Sequence, residues 1–205
     1  VGSEMCIRDR LWVEQGAAAF ADRAVDVVHD GSGNIYVTGQ FSDTITFDQT
    51  HNNILLNASF LIRYDPAGNE QWFRRFGGAG FNHVRDLEVT AAGDLVLTGD
   101  QQGTMVFSGT ASVSIGDALP NAYYLLRVST AGALLDHTTV GSSSSVQVSS
   151  LAVSGNEVSV LGIFRCQFND LATFYDGNGL FMGVGTEDVF IARHRLSDLD
   201  LQEAQ

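Results

Sequence analysis

Lysine is missing from this chain of 205 residues, and the eleven arginines face twenty-four acidic residues for a formal net charge of -13. Such a surface repels phosphate backbones and anionic lipids, which excludes nucleic acid and membrane surfaces as expected partners. Proline is nearly absent too, with two residues against 22 glycines. Runs of helix-forming residues at helical spacing are equally scarce, so the composition points to many short strands joined by turns. No stretch reaches the 18 or so apolar residues of a membrane span, and no membrane insertion is expected.

Cysteine is scarce as well. Cys6 lies in a ten-residue opening, VGSEMCIRDR, that reads as translated adaptor sequence and matches nothing else in the chain. On that reading the true N-terminus, and any signal peptide with it, lies outside residues 1–10. Cys166 is then alone, which supports neither a disulfide framework nor a zinc site. It sits in the alternating run Ile163 to Phe168, where a cysteine behaves as a small packed hydrophobe. Discarding the opening removes two arginines and two acids, so the net charge is unchanged.

What the chain does have is a repeat. The segment Ala24 to Gly39 returns as Val84 to Gly99, with Asp26 and Asp86, Gly33 and Gly93, and Gly39 and Gly99 each 60 residues apart. A third copy, Ser150 to Gly162, has a turn one residue shorter, and its glycine lies 63 residues beyond Gly99. By this alignment Asp26 becomes Ser149. The second half of each unit recurs as Phe60 to Gly68, Tyr124 to Gly132 and Phe190 to His194, with Arg63, Arg127 and Arg193 at one shared place. Trp12 precedes Gly39 by 27 residues, as Trp72 precedes Gly99.

Each unit reads as two hairpins. Val25 to His29 turns at Asp30-Gly31-Ser32-Gly33-Asn34 and returns as Ile35 to Phe41; Phe60 to Tyr64 turns at Asp65-Pro66-Ala67-Gly68-Asn69 and returns through Trp72. Proline presets φ in such turns and glycine takes the left-handed position. The polar connection Ser42 to Ser59 is expected to hold a short strand around Phe47.

Four strands per unit of about sixty residues is the pattern of propeller blades; β-helix coils are shorter and β-sandwich domains longer. The expected fold is all-β, a partial β-propeller of about three four-stranded antiparallel blades plus a strand of a preceding blade. The divisions are 11–20 for that strand and 21–80, 81–144 and 145–205 for the blades, the last incomplete. An arc of three blades cannot close a ring, so both of its ends are expected to leave apolar faces bare. Val25, Val27, Ile35 and Val37 would lie at one end and Val158, Val160, Ile163 and Ile191 at the other.

The phrases Val27 to Gly39 and Ala58 to Trp72 resemble the beta-propeller repeat known as the SBBP repeat. The likeness is strong in the first unit, fair in the second and loose in the third, where the closing tryptophan is lost. The resemblance implies a fragment of a large secreted or cell-surface bacterial protein. It implies a fold and a location, not an activity.

Chemical signatures are thin: HExxH, GxSxG, Walker and GxGxxG motifs are not found. His83 and Asp86 read as an acid/base pair only weakly, because Arg23 stands where His83 would repeat. A solvated or hydrogen-bonded role is favoured for His83, and likewise for His29, His51, His137 and His194. The oxygen-rich Asp30 to Asn34 loop lacks the distal carboxylate of a calcium site and reads as turn chemistry. Asp26 and Asp86 either ring the channel or satisfy local backbone donors, the second being favoured. The recurring arginines read as structural pairs. No catalytic, cofactor-binding or metal-ligating residue is assigned, and no cofactor. The expected role is a non-catalytic scaffold or binding module for a glycan, a peptide or a neighbouring domain, flanked by further blades of the parent chain. The alternative is part of a propeller hydrolase or lyase with its site at the channel mouth.

Overall fold

The computed structural model describes residues 11–16, 22–52, 57–78, 80–109, 113–116, 121–142, 145–165, 174–175 and 186–204. The adaptor-like segment 1–10, Cys6 and Cys166 lie outside them. Every regular element in this set is a strand. The first blade is β1 (Arg23–His29), β2 (Ile35–Phe41), β5 (Asn57–Tyr64) and β6 (Glu70–Gly78), antiparallel in that order. The second repeats it with β7 (Asn82–Val89), β8 (Leu95–Gln102), β11 (Asn121–Val128) and β12 (Leu134–Ser142). The third is β13 (Ser145–Ser154), β14 (Glu157–Arg165), β16 (Asp188–Arg195) and β17 (Leu201–Ala204). The arrangement is the expected all-β partial propeller, with β1, β7 and β13 side by side on the inner edge.

Turn chemistry fixes the hairpins. Gly33, Gly68, Gly93, Gly132 and Gly155 all have positive φ, the region where a Cβ is costly. The polar connections do more than bridge hairpins. That of the first blade folds into β3 (Thr44–Thr46) and β4 (Thr50–Asn52), with Phe47 in the turn between them. That of the second forms β9 (Met105–Phe107) and β10 (Val113–Ile115), and β9 pairs with β6 of the preceding blade. The third places β15 (Phe174–Tyr175) against β12 in the same way. A connection that lends a strand to its neighbour's outer edge leaves fewer unpaired backbone groups there.

Three expectations take a different form in the structure. First, the strand expected over 11–20 lies partly outside the described residues; residues 11–16 carry no assigned strand, and Trp12 packs on Tyr64 and Gly68. Second, Ser150, not Ser149, stands where Asp26 and Asp86 stand. A β-bulge shifts the register at Ala24/Asp26, Val84/Asp86 and Val148/Ser150, so Ser150 faces Leu161 as Asp26 faces Thr38 and Asp86 faces Thr98. Third, the bare faces carry partly other residues. Val158 and Val160 are fully buried against the second blade and Ile163 is half-buried, while Ile191 is exposed as expected, together with Leu161 and Val189. At the first blade Val27 is exposed, but Ile35 and Val37 pack with Trp12 and Phe47.

Candidate functional site: the blade interfaces and their clefts

The bulge sets where the acidic residues go. Asp26 accepts from the N–H of Val27 through Oδ1 (2.7 Å) and from Leu87 of the next blade through Oδ2 (3.1 Å). Asp86 does the same one blade on, from Leu87 (2.9 Å) and from Leu151 (2.7 Å). The recurring aspartates are therefore staples between inner strands, satisfying backbone donors locally and across the interface at once. Burial raises the Asp26 pKa, and a hydrogen bond shared with Asp86 adds to the effect. Glu88 is raised as well, by burial and by the charges of Asp86 and Asp26.

The recurring arginines fasten the outer side. Arg63 Nη1 donates to the Thr130 carbonyl in the turn of the second blade (3.0 Å). Arg127 Nη1 donates to the carbonyls of Leu196 (3.0 Å) and Ser197 (3.2 Å) in the third, while its Nε pairs with Asp94 (3.1 Å). Trp72 Nε1 also reaches the Thr130 carbonyl (2.9 Å), and its ring lies against Gly132 beneath the Arg74 guanidinium. Trp12 lies on Gly68 as Trp72 lies on Gly132, which explains the tryptophan spacing in the sequence.

The oxygen-rich turn is closed on itself. Asp30 accepts from the N–H of Ser32 and Asn34, the Asn34 side chain and the Tyr36 hydroxyl, so its oxygens are occupied by turn donors rather than poised for calcium. Burial opposes its ionisation, but these bonds outweigh it and the pKa lies below the ordinary 3.8. Burial, with the Asp30 bond, pushes the Tyr36 hydroxyl up to about 12.

The histidines do separate jobs. His194 is fully buried, with Nδ1 on the Leu199 carbonyl and Nε2 on the Tyr123 hydroxyl (both 2.8 Å). Because a carbonyl only accepts, Nδ1 carries a proton and donates to Leu199, and Nε2 faces the tyrosine hydroxyl. His51 stacks on Phe73 and meets Glu70 at 2.8 Å. His83 is partnered by Asp100 (3.6 Å), not by Asp86.

His83 also marks a recessed region that repeats. Between the first and second blades a cavity of about 340 Å³ is lined by Asp22, Arg23, Gln40, Phe41, Asn82 and His83 among others. Between the second and third, a smaller one of about 170 Å³ is lined by His83, Arg85, Asp100, Gln101, Gln102 and Gln147, with exposed Phe81 at its edge. Strand register makes them equivalent: Arg23 faces Gln40, His83 faces Asp100, and Gln147 faces Ile163. Both clefts open at the end of the arc opposite the Asp30 and Asp65 turns. Each holds buried amide atoms with no hydrogen-bond partner among the described residues: Gln40 Nε2 and Asn82 Oδ1 in the larger, Gln101 Oε1 in the smaller.

No protein-family model matches the chain. An uncharacterized WD repeat-containing protein of Acanthamoeba polyphaga mimivirus is 26% identical over 132 residues, which cover 55% of this chain and 10% of that protein. The chain is a propeller-like repeat. It spans about a tenth of the length of that relative.

Asp100 shows how an interface can be varied within the repeat. Arg85 grips it through Nε (3.0 Å) and Nη2 (2.7 Å), and Asp100 in turn accepts the N–H of Val148 in the third blade (2.9 Å). At the first interface the equivalent N–H, of Val84, is bound by Ser59 Oγ instead (3.2 Å). The Arg85–Asp100 pair was not singled out from the sequence, because Val25 and Gln40 hold those places in the first blade and no repeat flags it.

Proposed function

We propose that the chain is a non-catalytic scaffold and binding module of a large extracellular or cell-surface bacterial protein, akin to the SBBP repeat proteins. The blades divide at 21–80, 81–144 and 145–205, and the mouth-side clefts hold the ligand. One observation carries the binding role: Gln40, Asn82 and Gln101 present buried amide atoms without partners, in register-equivalent clefts. A buried polar atom left unpaired costs about 1–3 kcal/mol, so a partner that satisfies it gains affinity. Behind the cleft walls both a donor (Gln40 Nε2) and acceptors (Asn82 Oδ1, Gln101 Oε1) lack partners, and Arg85 is neutralised by Asp100. An uncharged ligand with mixed hydroxyl or amide groups, a glycan or a peptide backbone, meets these demands.

The hydrolase or lyase alternative needs acids and histidines on the same loop of adjacent blades. Along the mouth the residues equivalent to His83 in the neighbouring blades are Arg23 and Gln147, which favours binding over catalysis. The test is a titration of the isotope-labelled chain with neutral oligosaccharides and with glycine-rich tripeptides, read at the side-chain amides. Shifts confined to Gln40, Asn82 and Gln101 are expected, with Asn82→Ala removing that of Gln40 in the larger cleft and leaving that of Gln101 in the smaller. Silence of all three up to millimolar ligand refutes the cleft as a binding site.

A further inference from the structure

One aromatic ring stands in solvent at the mouth. Among the described side chains Phe81 is the one aromatic left exposed, at 55%, and it belongs to none of the three apolar cores. The repeat does not require it. Ser145 holds its place in the third blade, two residues before Gln147, and Ala21 holds it in the first, two residues before Arg23.

The ring is nevertheless held in place. Phe81, His83 and Arg85 are alternate residues and share one face of the chain as it enters β7. The rings of Phe81 and His83 lie with centroids 5.9 Å apart. His83 Nδ1 stands 3.6 Å from Asp100, which Arg85 grips through two nitrogens. The Phe81 carbonyl accepts the N–H of Gln102 (2.8 Å), so its backbone is pinned as well. The result is a fixed apolar plate at the edge of a polar cleft.

The cleft's other walls say what belongs on the plate. Apart from Phe81 and the buried Val146, every residue that lines the smaller cleft is polar. Gln102 Nε2 donates to Asn121 Oδ1 (3.1 Å), which leaves Gln102 Oε1 as an acceptor and Asn121 Nδ2 as a donor for a ligand. A peptide would look for apolar side-chain pockets, and this lining supplies none. A pyranose has a face of C–H groups to lay on a ring and a rim of hydroxyls, each both donor and acceptor, to meet the amides. His83 lines both clefts, with Phe81 in the smaller alone and Asn82 in the larger alone, so the start of β7 is the wall between them. Stacked sheets lie about 10 Å apart, a distance that two joined sugars span.

We infer that the ligand of the clefts is a linear neutral oligosaccharide lying across the start of β7. One pyranose stacks on Phe81 in the smaller cleft, and the adjoining sugar occupies the larger. The inference rests on the reading of the clefts as binding sites and narrows it to a glycan, with Phe81 as the specificity-determining residue.

The test titrates the full chain with cellotetraose, maltotetraose and chitotetraose, with their monosaccharides, and with tetraglycine. Binding is read at the side-chain amides of Asn82, Gln102 and Asn121 and at the ring signals of Phe81. At least one tetrasaccharide should bind on the order of 10-fold more tightly than its monosaccharide, because the second sugar is tethered to the first. Phe81→Ala should weaken that binding by about 10-fold. Phe81→Leu should do the same, since leucine is apolar but not flat, and Phe81→Trp should keep the affinity and change its fluorescence as the site fills. Melting of the three variants at the parent's temperature separates loss of the plate from loss of the fold. Undiminished binding by Phe81→Ala, or equal affinity for monosaccharide and tetrasaccharide, overturns the inference and leaves the clefts as binding sites. Amide shifts with tetraglycine and none with any saccharide overturn it too, and make the ligand a peptide. Silence toward every probe overturns both readings.

Discussion

At the scale of the residue, the repeat separates structural polar groups from the rest. Asp26 and Asp86 were legible as recurring, and their role as satisfiers of backbone donors was favoured from sequence. That the second donor belongs to the next blade was not legible, since Leu87 and Leu151 are 61 and 65 residues away. Asp26→Ala removes the inter-blade acceptor of the Leu87 N–H, which keeps only Asp86 of its own blade, and should cost about 1 kcal/mol in urea unfolding. Asp26→Asn should be far milder, because the amide still accepts from Leu87 and supplies a donor to Asp86. The pH dependence has a definite sign. Burial raises the Asp26 pKa in the fold, so the stability linked to its proton is complete below the ordinary value of 3.8 and is lost as pH rises through the folded value. The Asp26→Asn protein has no such proton to lose, so its stability relative to the native chain should improve as pH rises above the ordinary carboxylate range. Equal slopes for the two proteins would remove the account of a raised Asp26.

At the scale of the element, the repeated glycines Gly39, Gly99 and Gly162 are explained by close approach. A methyl group at any of them would overlap the bulge carbonyl of Arg23, His83 or Gln147, and the ring of Phe60, Tyr124 or Phe190 across the strand. Glycine is thus required where a bulged inner strand and an aromatic ring converge on one backbone position. Gly99→Ala should destabilise by about 1–3 kcal/mol, read as a lower urea midpoint with unchanged slope. Gly31→Ala, at a position open to solvent, is the control expected to change little. The periodic alternation and turn chemistry made the blade strands readable. The short strands β9 and β15 were not, because two or three residues are too few to show an alternation and they exist through pairing with β6 and β12 of a neighbouring blade.

At the scale of the molecule, the three blades are unequally supported. The central blade is covered on both faces, and Leu95, Val96, Leu97, Leu125 and Leu126 are fully buried. Its contact with the first blade is fastened by Trp72, Arg74 and Arg63, whereas Asp136 holds the tryptophan position at the contact with the third. Native-state hydrogen exchange should therefore find β13, β14 and β16 opening before β7, β8 and β11. Trp72→Ala should bring the first blade's opening down toward that of the third. Simultaneous exchange of all three blades in both proteins would mean that the arc unfolds as one unit.

The sequence by itself determined the local matters: four strands to a unit, where each hairpin turns, and which positions repeat. These depend on alternation, on positive φ and on spacing, all of which act over a few residues. Only the tertiary structure decided which side of each blade is covered and which polar groups reach across. It set Val158 and Val160 inward, the reverse of what was expected of them, and left Leu161 and Val189 outward beside the expected Ile191. It also brought His83, Arg85 and Asp100 to the wall of one cleft. The physical reason is that both faces of a blade strand are apolar, so alternation fixes the two sides without saying which one the neighbouring blade will take.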